Sequence, residues 1–459
     1  MIKKTISEIA GLMQAPVYGT YKEDTTVEGV VIDSRQVRPG SLYVPILGQK
    51  VDGHSFIEQV AQNGAALAFW QKDHTPYPDQ LPLILVEDTQ QALAALAKAY
   101  LDTLHPLVIG VTGSNGKTSC KDMLYSVFSQ EKKTQKTQGN RNNEIGLPLT
   151  VLDFDEDIEV AVLEMGMENK GEIAELCQIA APDIAIITTI GSAHMENLGG
   201  KKQIAEAKCE IYDGLRPGGL FLYNKDCPEI DEVLREKSLD RSKTIRSFGK
   251  TGDGKIVSGI AYKAGGIEFS TSLLDGKIAL RALGDHQAMN ALPCIMAAKA
   301  CEIQDESIQK GLAELEMTKM RTALTQLGAA RVLDDSYKSN PESARAAIDT
   351  LMAIDGKKHV AVLGDMLDLG RQENELHGQI GAYAREKGVD LLYAFGPLSK
   401  HTAQAFGSGG TWFETKEEIV DHLSSMLEDD VVILIKGSRA MSMDSIVTQL
   451  SGGFNKCLN

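Results

Sequence analysis

No stretch of this 459-residue sequence is apolar for long enough to cross a membrane. A membrane-spanning helix needs about 20 consecutive apolar residues, and every apolar run of the chain ends well before that length. The N-terminal segment MIKKTISEIAGLMQAP has two lysines but lacks the apolar stretch of a secretion signal. We therefore expect a cytoplasmic protein that does not insert into a membrane.

Basic residues are also too few to make the chain positive overall. It has 47 lysines and arginines against 63 aspartates and glutamates, which gives a net charge of -16. Duplex nucleic acid and anionic membrane surfaces attract basic proteins, so neither is expected as the main partner. If the ligands are phosphates, the chain must concentrate its cations locally.

Cysteine motifs, internal repeats and low-complexity tracts are missing as well. The seven cysteines are an odd number, and no two have the C-x-x-C spacing of a zinc or redox site. Scattered reduced thiols in a reducing compartment are the simpler interpretation. The composition, 43% hydrophobic and 24% charged, is typical of a folded protein, and the length suits about three domains.

Apolar patterning divides the chain into units of helices and strands. Residues 1–88 contain a first helix at ISEIAGLM and short strands at GVVIDS, SLYVPI and LPLILV, which predict a small α/β domain. A helix at TQQALAALAKAYLDTL then opens the central domain, residues 89–322. Its strands LVIGVTG, VAVLEMG, DIAIITTIG and GGLFLYNKD are continuously apolar, which is typical of a parallel sheet buried on both faces.

Two further patterns complete the predicted fold class, which is α/β with three domains. Residues 255–283 contain three runs spaced like an antiparallel meander, so we expect antiparallel strands appended to the central domain. In residues 323–459, RVLDDSY, KHVAVLGDM, LLYAFG and VVILIKGS alternate with helical stretches and predict a Rossmann-like α/β domain. Ligands are expected in the clefts between the three domains.

The segment VTGSNGKTS, residues 111–119, follows an apolar strand and leads into a helix. Its two glycines permit a tight turn whose backbone N–H groups face an anion at the helix N-terminus. Lys117 can neutralise phosphate oxygens, and Thr118 can offer its hydroxyl to Mg²⁺. The loop is shorter than the full phosphate-loop pattern, and a glycine-rich turn with a solvated lysine is the alternative. The strand–loop–helix context favours a nucleotide-binding loop formed by Gly113, Ser114, Asn115, Gly116, Lys117, Thr118 and Ser119.

The T-G-S-N-G-K-T-S form of this loop resembles the ATP-dependent Mur ligases and their folylpolyglutamate synthetase relatives. Domain by domain, the resemblance covers essentially the whole chain. It implies a first domain that binds a UDP-muramoyl-peptide, a central P-loop domain that binds ATP, and a last domain that binds the incoming amine. The implied reaction is the ATP-dependent formation of an amide bond.

The resemblance also implies two magnesium ions, with Thr118, Glu164, His194 and Lys208 as the metal-binding residues. Glu164 ends the apolar strand of VLEMGM, where a buried carboxylate is costly unless it faces a ligand or a cation. His194 follows another strand, in TTIGSAHMENLG. Lys208, in IAEAKCEIYDGL, is on sequence alone a solvated helix lysine, whereas the resemblance implies that CO2 carbamylates it. Because only a neutral amine accepts CO2, that role needs a lowered pKa.

Three residues are implied on the nucleotide side. Asn290 in GDHQAMNALP resembles an adenine-contacting asparagine. Arg321 in MTKMRT lies at the junction of the second and third domains, where it can reach a γ-phosphate when the domains close. Asp335 in LDDSYKSNPES resembles a ribose- or phosphate-side aspartate, although Tyr337 replaces the lysine of some sister ligases. The implied catalytic residues are Lys117, Glu164, His194, Lys208 and Arg321.

Polar loops in the first and central domains are the candidate substrate sites. The loop GNRNNEIGLP resembles the asparagine-rich substrate loop of the family, and its amides belong to Asn140, Asn142 and Asn143. In DSRQVRPGS, the residues that resemble contacts to the UDP-sugar are Asp33, Ser34 and Arg35. Taken without the resemblance, D-S-R is only a capped turn.

The last domain distinguishes among the reactions of the family. VLGDMLDLG and LIKGSRAMSMD resemble the family member that adds D-alanyl-D-alanine to UDP-N-acetylmuramoyl-tripeptide, with Lys436 and Ser438 as expected substrate contacts. The resemblance implies that ATP phosphorylates the tripeptide carboxylate and that the dipeptide amine attacks the resulting acyl phosphate. Positioning and charge neutralisation are the protein's main tasks in such a reaction. We expect a monomer.

Other activities stay open at this point. A sister ligase would add lysine or diaminopimelate to the UDP-muramoyl-dipeptide, but its arginine-bearing D-N-P-R-type motif is missing here. A folate or amino-acid polymerising relative is disfavoured by the D-S-R segment of the first domain. A nucleotide-binding switch or inactive scaffold need not keep Glu164, His194 and Lys208 beside the phosphate loop.

Overall fold

The computed structural model describes residues 1–48, 50–192 and 195–457. Within these ranges, no helix has both the length and the apolar character that a bilayer crossing requires. The fold is α/β throughout, as the sequence predicts, and its three larger sheets follow one another along the chain.

The N-terminal part is a five-stranded sheet with helices around it. The sheet order is β2-β7-β6-β5-β4, in which β2 is antiparallel to β7 and the other pairs are parallel. The prediction omitted β6, although all five of its residues are buried in the middle of the sheet. The elements are β1 Lys3–Thr5, α1 Ile6–Met13, β2 Val17–Tyr18, β3 Thr26–Glu28, β4 Val30–Val31, β5 Leu42–Tyr43, α2 Ile57–Gln62, β6 Leu67–Gln71 and β7 Leu83–Val86.

Two helices of this region begin where the sequence predicts. Helix α1 starts after Thr5, whose hydroxyl accepts a hydrogen bond from the Glu8 N–H at 3.2 Å while Glu8 accepts one from the Thr5 N–H at 2.7 Å. Helix α3, Thr89–Leu104, is capped by Asp88, which accepts from the Gln91 N–H at 2.7 Å. Both predicted helices are thereby confirmed over their full lengths.

The central part is a six-stranded, wholly parallel sheet in the order β13-β12-β11-β8-β10-β9. The apolar runs of the sequence form its four inner strands, because a strand covered by helices on both faces has no polar side. The elements are β8 Leu107–Thr112, α4 Lys117–Phe128, β9 Thr134–Lys136, α5 Gly146–Leu152, β10 Val160–Glu164, α6 Glu172–Ile179, β11 Ile184–Ile187, α7 Met195–Leu198, α8 Lys201–Lys208, α9 Glu210–Asp213, β12 Leu220–Asn224, α10 Pro228–Glu236 and β13 Thr244–Phe248.

The expected antiparallel meander follows as a separate three-stranded sheet in the order β14-β15-β16. Its inward residues Phe269 and Ile278 share a hydrophobic core with Met123 and Leu124 of α4. The small sheet therefore supports the helix that opens directly after the phosphate loop. The elements are β14 Ala261–Lys263, β15 Gly266–Thr271, β16 Leu274–Leu280, α11 Asp285–Ala300 and α12 Asp305–Ala313.

The C-terminal part is a six-stranded sheet in the order β17-β18-β22-β19-β20-β21. Strand β17 forms an antiparallel hairpin with β18, and all other pairs are parallel. The prediction omitted the two edge strands, β17 and β21. The elements are β17 Ala323–Leu327, β18 Ala330–Asp335, α13 Pro341–Ala353, β19 Lys358–Gly364, α14 Glu373–Glu386, β20 Leu391–Phe395, α15 Ser399–Phe406, β21 Gly410–Phe413, α16 Lys416–Ser424, β22 Val431–Lys436 and α17 Asp444–Cys457.

The central and C-terminal sheets place their carboxyl ends around one cleft. Glu164 ends β10, Asp335 ends β18 and Lys436 ends β22, and all three line the same cavity. Ligands bind at the carboxyl ends of parallel strands in such folds. The domain limits at 88/89 and 322/323 stay predictions.

Candidate active site

The phosphate loop joins β8 to α4 and is held open by its two glycines. Gly113 has a φ of +148° and Gly116 a φ of +84°, which side-chain-bearing residues rarely adopt. A Cβ at Gly113 would collide with the Thr188 hydroxyl, and one at Gly116 with the Asn290 side-chain oxygen. The loop backbone therefore lies close to two neighbours, and residues 114–119 line the cavity at the start of α4.

Lys117, the first residue of α4, points back over this loop. Its Nζ donates to the Gly113 carbonyl at 2.7 Å, and the side chain lines the cavity. Loss of hydration lowers the Lys117 pKa to about 8, and the positive charges of Lys338 and Arg321 act in the same direction, whereas Glu164 opposes them. A cation crowded by other cations is suited to an anionic ligand.

Glu164 is buried at the end of β10, with 3% of its surface exposed. Its Oε2 accepts from the Thr118 hydroxyl at 2.9 Å, and its Oε1 accepts from the Asn142 amide at 2.8 Å. Its own N–H donates to the Thr137 hydroxyl at 3.0 Å. The predicted metal residues Thr118 and Glu164 are thus in direct contact, and the predicted substrate residue Asn142 joins them.

Lys208 ends α8 and is buried, with 1% of its surface exposed. Burial lowers the pKa of Lys208 well below its usual value, and the charges of Lys117 and Lys338 act in the same direction. Burial and neighbouring positive charge both favour the neutral amine, which is the form that reacts with CO2. His194 lies outside the described residues.

Arg321 enters the cavity from the linker before β17. The residues on either side of it, Met320 and Thr322, both have left-handed backbone with φ of 61° and 49°. The Arg321 guanidinium lies 4.4 Å from the centroid of the Tyr337 ring. Its Nε is buried without a hydrogen-bond partner among the described residues, so the side chain has an unused donor at the cavity wall.

Asp335 and Lys436 stand opposite each other at the ends of β18 and β22. Lys436 Nζ donates to Asp335 Oδ2 at 2.5 Å and to the Lys338 carbonyl at 2.9 Å. The second oxygen of Asp335 accepts from the Thr322 N–H at 3.2 Å. This ion pair therefore fixes the linker beside Arg321 and the loop that follows β18.

These side chains line two adjoining cavities. The larger, about 370 Å³, is lined by the phosphate loop, Glu164 and Asn290 from the central part and by Arg321 and Asp335 from the C-terminal part. The second, about 320 Å³, is lined by residues that follow β9 and β10. Of the residues that the structure describes, four line both cavities, namely Lys117, Asn140, Asn142 and Lys338.

Other predicted residues lie away from the larger cavity. Asn143 lines only the second cavity. Asp33 caps a short turn and pairs with Arg35 at 2.7 Å, while the hydroxyl of buried Ser34 donates to Gln59 Oε1 at 3.3 Å. Neither cavity is lined by these three residues of the first domain. The Ser438 hydroxyl accepts from the Leu367 N–H at 2.9 Å, and Ser438 lines neither cavity.

Several cavity residues were not found from the sequence. Gln287 donates to the Thr322 hydroxyl at 3.5 Å and accepts from the Asn290 amide at 3.1 Å, which connects α11 to the linker. Lys338 and Glu342 enter from the segment after β18. The polar cluster S-Y-K-S-N-P-E-S directly after an apolar strand was the available signal, because residues at strand ends are the ones that meet ligands.

The site combines a phosphate loop with a buried carboxylate that accepts from a hydroxyl and an amide, and a second α/β unit supplies cations to it. This combination is typical of an enzyme that transfers a phosphoryl group from a nucleotide. Among such enzymes, the chain belongs to the Mur ligase family. Residues 111–298 match the Mur ligase middle domain, residues 320–439 the Mur ligase, glutamate ligase domain, and residues 26–101 the Mur ligase family, catalytic domain.

The similarity to individual proteins covers nearly the whole chain. It is 37% identical to the UDP-N-acetylmuramoyl-tripeptide–D-alanyl-D-alanine ligase of Bacillus subtilis (strain 168), over 98% of this chain and 99% of that protein. A crystal structure of MurF from Acinetobacter baumannii superposes with a TM-score of 0.89 at 28% identity, covering 98% and 99% of the two chains. MurF ligase from Thermotoga maritima in complex with ADP gives 0.83 at 28% identity, covering 94% and 98%.

Proposed function

We propose that the chain is an ATP-dependent ligase that adds D-alanyl-D-alanine to UDP-N-acetylmuramoyl-tripeptide and so forms the pentapeptide precursor of peptidoglycan. The full-length similarity to a ligase with that name is the observation on which the substrates rest. The two adjoining cavities support the reaction class, because they offer one space to a nucleotide and a neighbouring space to a second reactant.

The proposed reaction has two chemical steps. A carboxylate oxygen of the tripeptide bonds to the γ-phosphorus of ATP, the bond from that phosphorus to the bridging oxygen breaks, and its electron pair leaves with ADP. The dipeptide amine then attacks the acyl carbon, loses a proton, and the tetrahedral intermediate expels phosphate to leave the amide. Lys117 and Arg321 neutralise the negative charge that gathers on the transferring group.

The residues around Glu164 fit a magnesium ion. Mg²⁺ prefers oxygen ligands, and this carboxylate lies beside the Thr118 hydroxyl and accepts hydrogen bonds from two neutral donors, the Thr118 hydroxyl and the Asn142 amide. When bound, magnesium neutralises phosphate oxygens and orients them for transfer. For a second ion we propose His194 together with a carbamate on Lys208, a role that the burial of that amine and its lowered pKa support.

The remaining contacts are assigned by domain. We propose that Asp33, Ser34 and Arg35 contact the UDP-sugar, and that Asn140, Asn142 and Asn143 contact the peptide near its carboxylate. Asn290 and Asp335 would hold the nucleoside, while Lys436 and Ser438 shape the dipeptide side. These groups all belong to one chain, so we propose a monomer, and the substrates imply a cytoplasmic location. The predicted limits 1–88, 89–322 and 323–459 would then correspond to three substrate-binding domains.

Phosphate release by the purified chain tests the proposal. The chain is given ATP, Mg²⁺ and UDP-N-acetylmuramoyl-tripeptide, with and without D-alanyl-D-alanine, and pentapeptide is measured in parallel. We expect release to depend on the dipeptide and to equal the pentapeptide formed. Release stimulated instead by lysine, diaminopimelate or glutamate would replace this proposal with a sister activity, and release without any joined product would exclude a ligase.

A further inference from the structure

Lys338 lies where the two cavities meet, and among the described residues it is the one at that junction that comes from the C-terminal part of the chain. The other three residues that line both cavities, Lys117, Asn140 and Asn142, belong to the central part. We infer that Lys338 is a catalytic residue that contacts the phosphoryl group during its transfer from ATP to the tripeptide carboxylate. This role rests on the proposed function.

The backbone of Lys338 is fixed on both sides. Its carbonyl accepts from Lys436 Nζ at 2.9 Å, and Lys436 is paired with Asp335 at the end of β18. Two residues further on, the Asn340 and Asn115 side chains exchange two hydrogen bonds, at 2.8 and 3.3 Å. Asn115 belongs to the phosphate loop, so the segment that carries Lys338 is attached directly to the loop that would hold the phosphates.

The charges around Lys338 indicate an anionic ligand at this junction. Lys338 and Arg321 both lower the pKa of Lys117, and Lys117 and Lys338 both lower that of Lys208, so positive charge is concentrated at this junction. Burial lowers the pKa of Lys338 itself, while Asp368, Glu168 and Glu164 act against that shift. The chain as a whole is strongly acidic, yet cations are concentrated here. Phosphate oxygens between these cations would reduce their mutual repulsion.

The position of Lys338 suits the transferring group better than ATP as a whole. A cation that only bound the triphosphate would lie within the nucleotide cavity, as Arg321 does. Lys338 borders the neighbouring cavity as well, where the carboxylate must approach. In a loose phosphoryl-transfer transition state, charge spreads over the oxygens between donor and acceptor, and a cation at the junction is nearest to them. The Lys338 ammonium would neutralise this charge by donating hydrogen bonds to those oxygens.

Three variants test this role. Lys338→Met removes the charge, Lys338→Arg keeps it, and Lys357→Met is the matched control. Lys357 is exposed and directly precedes β19, at the amino end of that strand and not at the carboxyl ends that border the cavities. Pentapeptide turnover, ATP affinity by calorimetry, and the acyl phosphate trapped by borohydride when the dipeptide is withheld are measured for each. Thermal unfolding shows that each variant is folded.

We expect Lys338→Met to lower kcat at least about 100-fold and the trapped acyl phosphate in parallel, with ATP affinity changed by less than about fivefold. Lys338→Arg should recover at least about a tenth of wild-type turnover, and Lys357→Met should match wild type. Turnover of Lys338→Met within about threefold of wild type, or a loss of ATP affinity as large as the loss of kcat, would overturn the inference. Wild-type protein that forms no pentapeptide would overturn the proposed function first, and the inference with it.

Discussion

At the scale of single residues, Glu164 holds the centre of the site through hydrogen bonds from Thr118 and Asn142. Glu164→Ala removes the charge that would bind magnesium and leaves two buried donors without acceptors. We expect turnover to fall at least about 100-fold and stability by about 1–3 kcal/mol. Pentapeptide assays and urea unfolding measure the two effects.

The matched control for this change is Glu175→Ala, at an exposed position of α6. Its turnover should equal that of wild type and its stability should differ by less than about 0.5 kcal/mol. Normal pentapeptide formation by Glu164→Ala would contradict the assignment of this carboxylate.

Lys117 gives a second prediction at this scale, which concerns pH. Its pKa is lowered to about 8, chiefly because the amine loses hydration. Phosphate oxygens favour the ammonium form, so above pH 8 the amine must take up a proton as ATP binds. ATP affinity should be level below about pH 8 and fall by up to about tenfold per pH unit above it.

Calorimetric titrations across this pH range, with buffer ionisation heats subtracted, measure the expected proton uptake. Lys117→Arg supplies the comparison, because a guanidinium stays charged and should show no step near pH 8. An affinity of the unmodified chain that is constant up to about pH 9.5 would exclude Lys117 as the titrating group.

At the scale of elements, continuous apolar runs were sufficient to predict β8, β10 and β11, because only a strand buried on both faces has that pattern. Strand β9, with the sequence TQK, could not be predicted, since it is polar and is ordered by pairing with β10. The site divides in the same way. Glu164 follows from its place at a strand end, whereas the position of Lys338 depends on how one sheet lies against another.

Helix α4 is attached to the linker through Asp122, which is fully buried. Asp122 accepts from the Thr318 N–H and hydroxyl at 2.9 and 2.7 Å, and from Lys136 Nζ at 2.6 Å. Thr318 lies three residues before Arg321, and Lys136 ends the strand before the asparagine-rich loop. One carboxylate thus fixes the phosphate-loop helix relative to two other parts of the site.

Asp122→Asn keeps the size of this side chain and removes its charge. We expect stability to fall by about 1–3 kcal/mol, because Lys136 loses its ion pair and one donor to Asp122 meets an amide NH2 instead of an oxygen. Turnover should fall as well, since Arg321 is held less firmly. Urea unfolding measures the first effect and pentapeptide formation the second.

Asp102→Asn is the control for this change, because Asp102 forms an exposed ion pair with Lys98 on α3 and should contribute less than about 0.5 kcal/mol. If Asp122→Asn were as stable and as active as this control, the contacts of Asp122 with the linker would contribute neither to stability nor to turnover.

At the scale of the whole molecule, Glu342 joins the C-terminal part to the central part. Its carboxylate accepts from the Ser192 hydroxyl at 2.8 Å and from the Ser192 N–H at 3.2 Å, and it pairs with Lys201 at 3.3 Å. Together with the Asn115–Asn340 pair, these contacts keep Lys338 and Arg321 against the phosphate loop. Two arrangements of domains typically differ in free energy by only a few kcal/mol, so a few such contacts are enough to favour one of them.

Glu342→Ala should therefore weaken the closed arrangement without unfolding either part. Losing these bonds costs about 1–3 kcal/mol, which corresponds to a shift of about 5- to 150-fold in the ratio of closed to open molecules. We expect a larger radius of gyration in small-angle X-ray scattering and a lower kcat, both partly restored by saturating ATP. Glu386→Ala, at an exposed position near the end of α14, should change neither quantity. A scattering profile and a kcat identical to those of this control would show that Glu342 does not hold the two parts together.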